Sequence, residues 1–178
     1  MPLSRLSGVV MAEVLLGLGA NVGDPAENLR RAIEALSSEC QIVRVSSAYR
    51  TEPVGYDDQD WYLNVAVVVS TQLEPNALLT LIARIEASLG RERGIPNGPR
   101  TIDIDILLWG EMVRADDPTV PHPRMHLRKF VLEPAVEIAG DWVHPIQRQP
   151  LQNLLNQLDA GEAVDKVSLR NWPPSIAP

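Results

Sequence analysis

The sequence predicts an α+β fold, an antiparallel sheet with its helices packed on one face. Two observations carry that prediction. Between residues 14 and 109, strand-like and helix-like patterns follow one another in the order β-α-β-β-α-β. The chain has 178 residues and is 45% hydrophobic, enough for one domain with its own core. That order is the ferredoxin-like arrangement, and the helical patterns that follow it read as C-terminal additions.

Each element has a local reason. Residues 14–18 are an apolar run ended by Gly19 and form the first strand. Asp24, Pro25 and Glu27 start a helix: Asp24 caps, Pro25 suits the first helical position, and Glu27 stands three residues on. Leu29, Ala32, Ile33 and Leu36 follow at helical spacing. Residues 41–50 read as the second strand, 51–60 as a loop rich in Pro, Gly and Asp, and 62–71 as the third strand. Pro75 opens a second helix with Leu78, Leu81, Ile82, Ile85 and Leu89 on one face, and Gly90 ends it. Residues 91–99 form a polar loop with Gly and Pro breakers, and the fourth strand starts at Ile102. Residues 132–138 suggest a further helix. Leu151, Leu154, Leu155 and Leu158 suggest another, expected at the edge of the sheet. Residues 12–170 are expected to be a single domain, with 1–11 and 171–178 as flexible ends and Met11 as an alternative start.

Composition narrows the function. Cys40 is the single cysteine, which excludes an internal disulfide and an all-Cys zinc site and fits a reducing, cytoplasmic setting. Residues 6–20 are moderately apolar but interrupted by Glu13, and no run reaches transmembrane length. The net charge of −7 argues against nonspecific nucleic-acid binding. It is uneven: residues 91–130 hold seven basic and six acidic side chains, so the remainder carries −8. The cations thus gather around one segment, as an anionic substrate would require.

That segment holds the most informative run, Gly98-Pro99-Arg100-Thr101-Ile102-Asp103-Ile104-Asp105-Ile106-Leu107-Leu108-Trp109. Period 2 puts Asp103 and Asp105 on one face of the strand and Ile102, Ile104 and Ile106 on the other. Two carboxylates so placed repel unless a cation lies between them, and hard oxygen ligands select Mg²⁺ or Mn²⁺. Arg100 adds a planar fork suited to phosphate. Together they point to phosphoryl-type chemistry on a nucleotide. The competing reading is an ordinary pair of aspartates on a solvated strand face, although Asp is a poor strand former.

Other segments carry paired readings. Gly17, Gly19 and Gly23 are spaced one residue too long for a dinucleotide fingerprint, so a tight turn or close backbone approach is the better account. Arg91-Glu92-Arg93 is either a mobile arginine loop that closes on phosphates or solvated charge at a helix C-terminus. Residues 121–130 hold two of the three histidines. Pro123 splits His122 from His126 and no third soft ligand follows, so phosphate or nucleotide contact outranks zinc, with a basic surface turn as the alternative. Tyr62 and Asn64 share a strand face, which suits stacking and hydrogen bonding of a flat heterocycle, or simply a core edge. A small-molecule sensor, an RNA binder and an ordinary ADP-forming kinase remain as alternatives. Scarce aromatics and an acidic balance count against RNA.

Taken together, 16-LGLGANVGD-24, 47-SAYRTEP-53, 62-YLN-64, the run from Gly98 to Leu107, 121-PHP-123 and 128-RKF-130 resemble the 6-hydroxymethyl-7,8-dihydropterin pyrophosphokinase family over roughly residues 15–145. The resemblance implies a ferredoxin-like fold and transfer of the β,γ-pyrophosphoryl group of ATP to the pterin's hydroxymethyl oxygen, releasing AMP. It implies two Mg²⁺ ions on Asp103 and Asp105, and Arg91, Arg100, Asp103 and Asp105 as the catalytic set. It places Glu86, Arg91, Arg100, Ile106, His122 and Arg128 at ATP. It places Thr51, Pro53, Val54, Tyr62, Asn64, Asp103 and Phe130 at the pterin, with Tyr62 and Phe130 as the stacking aromatics. It implies a monomer that binds two small substrates, with no nucleic acid and no membrane. Asn97 stands where many members carry an aromatic before Gly-Pro-Arg, and Pro123 where many carry a bulky residue after the histidine.

Overall fold

The computed structural model describes residues 5–6, 9–92 and 94–176. Thirteen elements follow in order: β1 (Arg5–Leu6), β2 (Val9–Val10), β3 (Ala12–Ala20), α1 (Pro25–Leu36), β4 (Gln41–Val45), β5 (Ala48–Thr51), β6 (Tyr62–Thr71), α2 (Pro75–Ser88), β7 (Asp103–Trp109), a 3-10 turn (Met125–Leu127), α3 (Lys129–Ala139), α4 (Leu151–Asn156) and β8 (Val164–Val167). β1 and β2 pair with each other in a separate two-stranded sheet. The main sheet is antiparallel, in the order β7-β3-β6-β5-β8, with β4 also on β6.

Local signals set the first helices. The Asp24 carboxylate accepts from the Glu27 amide at 3.1 Å and caps α1, with Pro25 at its start. α1 buries Leu29, Ala32, Ile33 and Leu36; α2 buries Leu78, Leu81, Ile82 and Ile85. Both helices pack on the sheet face made by Val14, Leu16, Leu18, Val65, Val67, Ile104 and Ile106. Gly90, at φ 80°, turns the chain out of α2.

The expected second strand is two strands. Ser46 Oγ accepts from the Ala66 amide at 2.8 Å, and Glu137 accepts from the Ser47 amide at 3.0 Å. Side chains thus replace ladder bonds where β4 hands over to β5. The last helix is a second correction: it does not sit at an edge but packs with α3 on a sheet face. Leu132, Ala135 and Ala139 of α3 and Leu151 and Leu154 of α4 cover the opposite sheet face with Leu15, Val68, Leu107 and Leu108. Leu107 and Leu108 share that face because the β3–β7 register slips by one residue, pairing Leu15 with Leu108 but Leu16 with Ile106. The short β8, unforeseen from sequence, pairs along β5.

The end of the chain has a place as well. Trp172 packs against the core and its indole Nε1 donates to Ser46 O at 2.9 Å. Residues 1–4, 7–8 and 177–178, expected at the flexible ends, lie outside the described residues. No described helix is long and apolar enough to cross a membrane.

Candidate active site

α3 covers only part of its sheet face. Past its N-terminal end the floor is bare, and period 2 decides what stands there. On β3 these are Gly17 and Gly19, on β6 Asn64 and Tyr62, and on β7 Asp103 and Asp105. The register sets Gly19 between Asn64 and Asp103, and Gly17 between Ala66 and Asp105. A methyl group on Gly19 would lie 2.6 Å from Asn64 Oδ1; one on Gly17 would lie 3.2 Å from Leu107 Cδ1. The structure thereby selects close approach over a tight turn for these glycines: they keep the floor of a cavity open.

Thr51, Glu52 and Val54 wall one side of that cavity, and Arg128, Phe130 and Val131 the other, with Asn97 and Arg100 also lining it. One end suits a flat heterocycle. Asn64 Nδ2 donates to Thr51 Oγ1 at 2.7 Å, which leaves Oδ1 free for a ring edge. Tyr62 stands beside it, its hydroxyl donating to Gly98 O at 2.7 Å and pushed up in pKa mainly by burial. The Arg128 guanidinium lies 5.6 Å from the Phe130 ring centroid.

The other end is ionic. Asp103 Oδ1 is 3.0 Å from Arg91 Nη2 and 3.8 Å from Arg100 Nη1. Arg91 also pairs with Glu86 of α2. Glu86 is buried, and its Oε1 accepts from the Ile104 amide at 2.8 Å, between the two aspartates. Burial raises the Glu86 pKa, against the pull of that amide and of Arg91. Asp105 is pushed up to about 7, first by burial and then by the charge of Asp103, with Arg128 and Arg91 opposing. Two carboxylates on one strand face, with arginines on either side of them, are a hard-oxygen donor pair that fits a divalent cation. No cluster of three His, Cys, Asp or Glu side chains occurs among the described residues. A cation there would complete its shell with water or substrate oxygens.

The remaining expected residues are placed as follows. His122 stands beside the cavity rather than in its lining. Its amide donates to Leu107 O at 2.9 Å and its Nδ1 accepts from the Arg124 amide at 3.2 Å. Burial, Arg128 and Arg124 push its pKa down, which favours the neutral ring. Pro53 lies between two lining residues but does not itself line the cavity. The Ile106 side chain is buried in the core under α1 and α2, on the face away from the carboxylates, so only its backbone is available to a nucleotide. Arg93 lies outside the described residues.

Residues 15–140 match the family model described as 7,8-dihydro-6-hydroxymethylpterin-pyrophosphokinase (HPPK). The chain belongs to the HPPK family. Relatives named 2-amino-4-hydroxy-6-hydroxymethyldihydropteridine pyrophosphokinase agree. That of Bacillus subtilis is 47% identical over 69% of this chain and 75% of its own length. That of Methylorubrum extorquens is 43% identical over 84% of this chain and 95% of its own. The crystal structure of wild-type Plasmodium falciparum HPPK-DHPS with STZ-DHP superposes with a TM-score of 0.69 at 15% identity, which bears on the fold alone. It covers 83% of this chain, and this chain spans 43% of that one. As an HPPK the protein carries out ATP-dependent pyrophosphoryl transfer to hydroxymethyldihydropterin in folate synthesis.

The sequence reading missed the residues around this cavity that hold others in place. Asn21, 4% exposed, grips Arg100 twice: its amide donates to Arg100 O at 3.0 Å and its Oδ1 accepts from Arg100 N at 2.9 Å. Its Nδ2 donates to Gln59 Oε1 at 3.0 Å and Asp60 O at 2.8 Å. Gln59 in turn donates to Asn97 O at 2.8 Å. The one available signal was an amide inside a glycine-rich run ahead of a helix cap. Arg124, a further lining cation, was visible only as part of a basic segment.

Proposed function

We propose that this cavity holds the pterin between Tyr62 and Phe130, with Asn64 reading its edge and Thr51, Pro53 and Val54 beside it. The triphosphate lies at the Asp103–Asp105 end. One observation supports this most: the Tyr62–Asn64 pair and the two carboxylates share one sheet face and one cavity, joined across Gly19. The hydroxymethyl oxygen then attacks the β-phosphorus in line and gives up its proton to solvent. The bond to the bridging α,β oxygen breaks and AMP leaves. Asp103 and Asp105 would hold Mg²⁺, two ions, which would supply positive charge to offset that of the phosphates.

The chain's own groups do the rest. Arg91 and Arg100 neutralise charge growing on the phosphoryl oxygens, and Arg128 stands ready on the opposite wall. Glu86 orients Arg91 and, through the Ile104 amide, the strand carrying both aspartates. His122, beside the cavity, is available to the nucleotide. The protein acts as a cytoplasmic monomer on these two small substrates.

Incubation with ATP, Mg²⁺ and 6-hydroxymethyl-7,8-dihydropterin tests the reading. It requires pterin-dependent AMP, not ADP, abolished by chelation and by Asp105→Ala. Near-normal turnover of the Asp105→Ala enzyme would overturn the assignment of the carboxylate pair.

A further inference from the structure

His126 and His144 take no part in the cavity, yet each buries a nitrogen without a hydrogen-bond partner among the described residues. His144 is 2% exposed, in the loop that leads to α4. Its Nδ1 accepts from the amides of Ile146 and Gln147, at 3.2 and 3.1 Å. Its own amide donates to Gln149 O at 2.9 Å. A ring nitrogen that accepts two amides carries no proton, so the proton of the neutral ring stands on Nε2. That Nε2 is the orphan. Burial and the neighbouring His126 push the His144 pKa down to about 4, which keeps the ring neutral.

His126 has the complementary deficit. Its Nδ1 is buried without a hydrogen-bond partner among the described residues, and in the Nε2–H tautomer it is an acceptor of the kind that His144 Nε2–H lacks. The two rings meet edge to face, with centroids 5.6 Å apart and planes at 74°. A lone buried donor or acceptor is costly, whereas a facing donor and acceptor satisfy each other after a small ring rotation.

His126 is the middle residue of the 3-10 turn. The residues flanking that turn, Arg124 and Arg128, both line the cavity. Met125 anchors the turn in the core on one side of His126. We propose that His144 and His126 form a buried Nε2–H···Nδ1 pair and act as positioning residues, docking the 3-10 turn on the C-terminal loop so that Arg124 and Arg128 face the phosphates. His144 lies beyond the residues that match the family model. The proposal rests on the site reading above only through its kinetic readout.

The test has two arms. Nitrogen-15 histidine spectra of the wild-type protein should show His144 as the Nε2–H tautomer, with a slowly exchanging ring proton that is lost in His126→Leu. A rapidly exchanging proton, or an Nδ1–H tautomer, overturns the pair without any enzyme assay. In steady-state kinetics, His126→Leu should raise the KM for ATP about three- to tenfold, with kcat within about twofold. His126→Asn, whose Oδ1 can take the place of Nδ1, should restore it, and His144→Gln should be milder than His144→Leu. An unchanged KM in a folded His126→Leu enzyme overturns the positioning role. Failure of the wild-type enzyme to form AMP would instead fall on the site reading and leave the spectroscopic arm standing.

Discussion

Replacing Gly19 with Ala puts one methyl group at the join between the two halves of the site. That methyl would stand 2.6 Å from Asn64 Oδ1, well inside contact distance, so the amide must rotate away. Rotation breaks the 2.7 Å bond from Asn64 Nδ2 to Thr51 Oγ1 and withdraws the oxygen that faces the ring edge. Two hydrogen bonds at about 1 kcal/mol each weaken pterin binding by about 2 kcal/mol, or about thirtyfold in Kd. Strand stability should change little, because Ala is favoured over Gly in a strand by roughly 0.5–1 kcal/mol, which offsets part of the crowding. The assay is calorimetric titration of the pterin in the presence of a non-hydrolysable ATP analogue. Gly17→Ala is the control: its methyl meets only the Leu107 side-chain end at 3.2 Å, and its Kd should stay within about threefold. Wild-type affinity in a folded Gly19→Ala protein would refute the claim that the bare floor exists to seat Asn64.

Other perturbations have equally definite outcomes. Asn21→Ala removes all three side-chain bonds that tie Arg100 to Gln59 and Asp60; kcat should fall about tenfold or more, with a stability loss of about 1–3 kcal/mol by denaturant titration. Glu86→Gln keeps an acceptor for the Ile104 amide but loses the counter-charge of Arg91, whereas Glu86→Leu loses both. Only the Leu variant should be destabilised, by about 1–3 kcal/mol, while both should lower kcat/KM. The depressed pKa of His144 contributes stability that is fully present above the unfolded value near 6.5 and is lost as pH falls through about 4. That loss amounts to about 3 kcal/mol and should be largely absent from the acid limb of the stability profile of His144→Gln. Trp172→Ala removes a side chain packed on the core and its bond to Ser46 O, and should cost about 1–3 kcal/mol in thermal or denaturant unfolding.

Much of the fold was legible because its signals are local. The Asp24 cap, Pro25 and Pro75 at helix starts, and the strand over Tyr62–Thr71 stand where sequence patterns put them. β8 was not legible: Val164–Val167 has only four residues, two of them charged, and is a strand because β5 offers an open edge. α3 starts earlier than its pattern suggests, because Phe130 and Val131 face the cavity and do not show the core period. Pro134 sits inside that helix and obscures it further. Residue type and spacing singled out Asp103, Asp105, Arg100, Tyr62 and Asn64, and the structure brings all five to one cavity. Asn21 and Gln59 were not singled out, since an amide that holds another loop has the same local signature as one that faces water.

The sequence by itself determined the alternation of side chains along the regular stretches of strand, where the first two helices begin, and that two carboxylates stand together on a stiff strand. Those follow from covalent geometry and from hydrogen bonds a few residues long. The tertiary structure alone decided that Gly17 and Gly19 are a cavity floor, that the amide of Asn21 meets Arg100 across 79 residues, and that Glu86 reaches from a neighbouring helix to the strand between the aspartates. The reason is that sheet register and the length of sheet left bare by α3 are set by how whole elements pack, and no window of sequence contains both partners of such a contact.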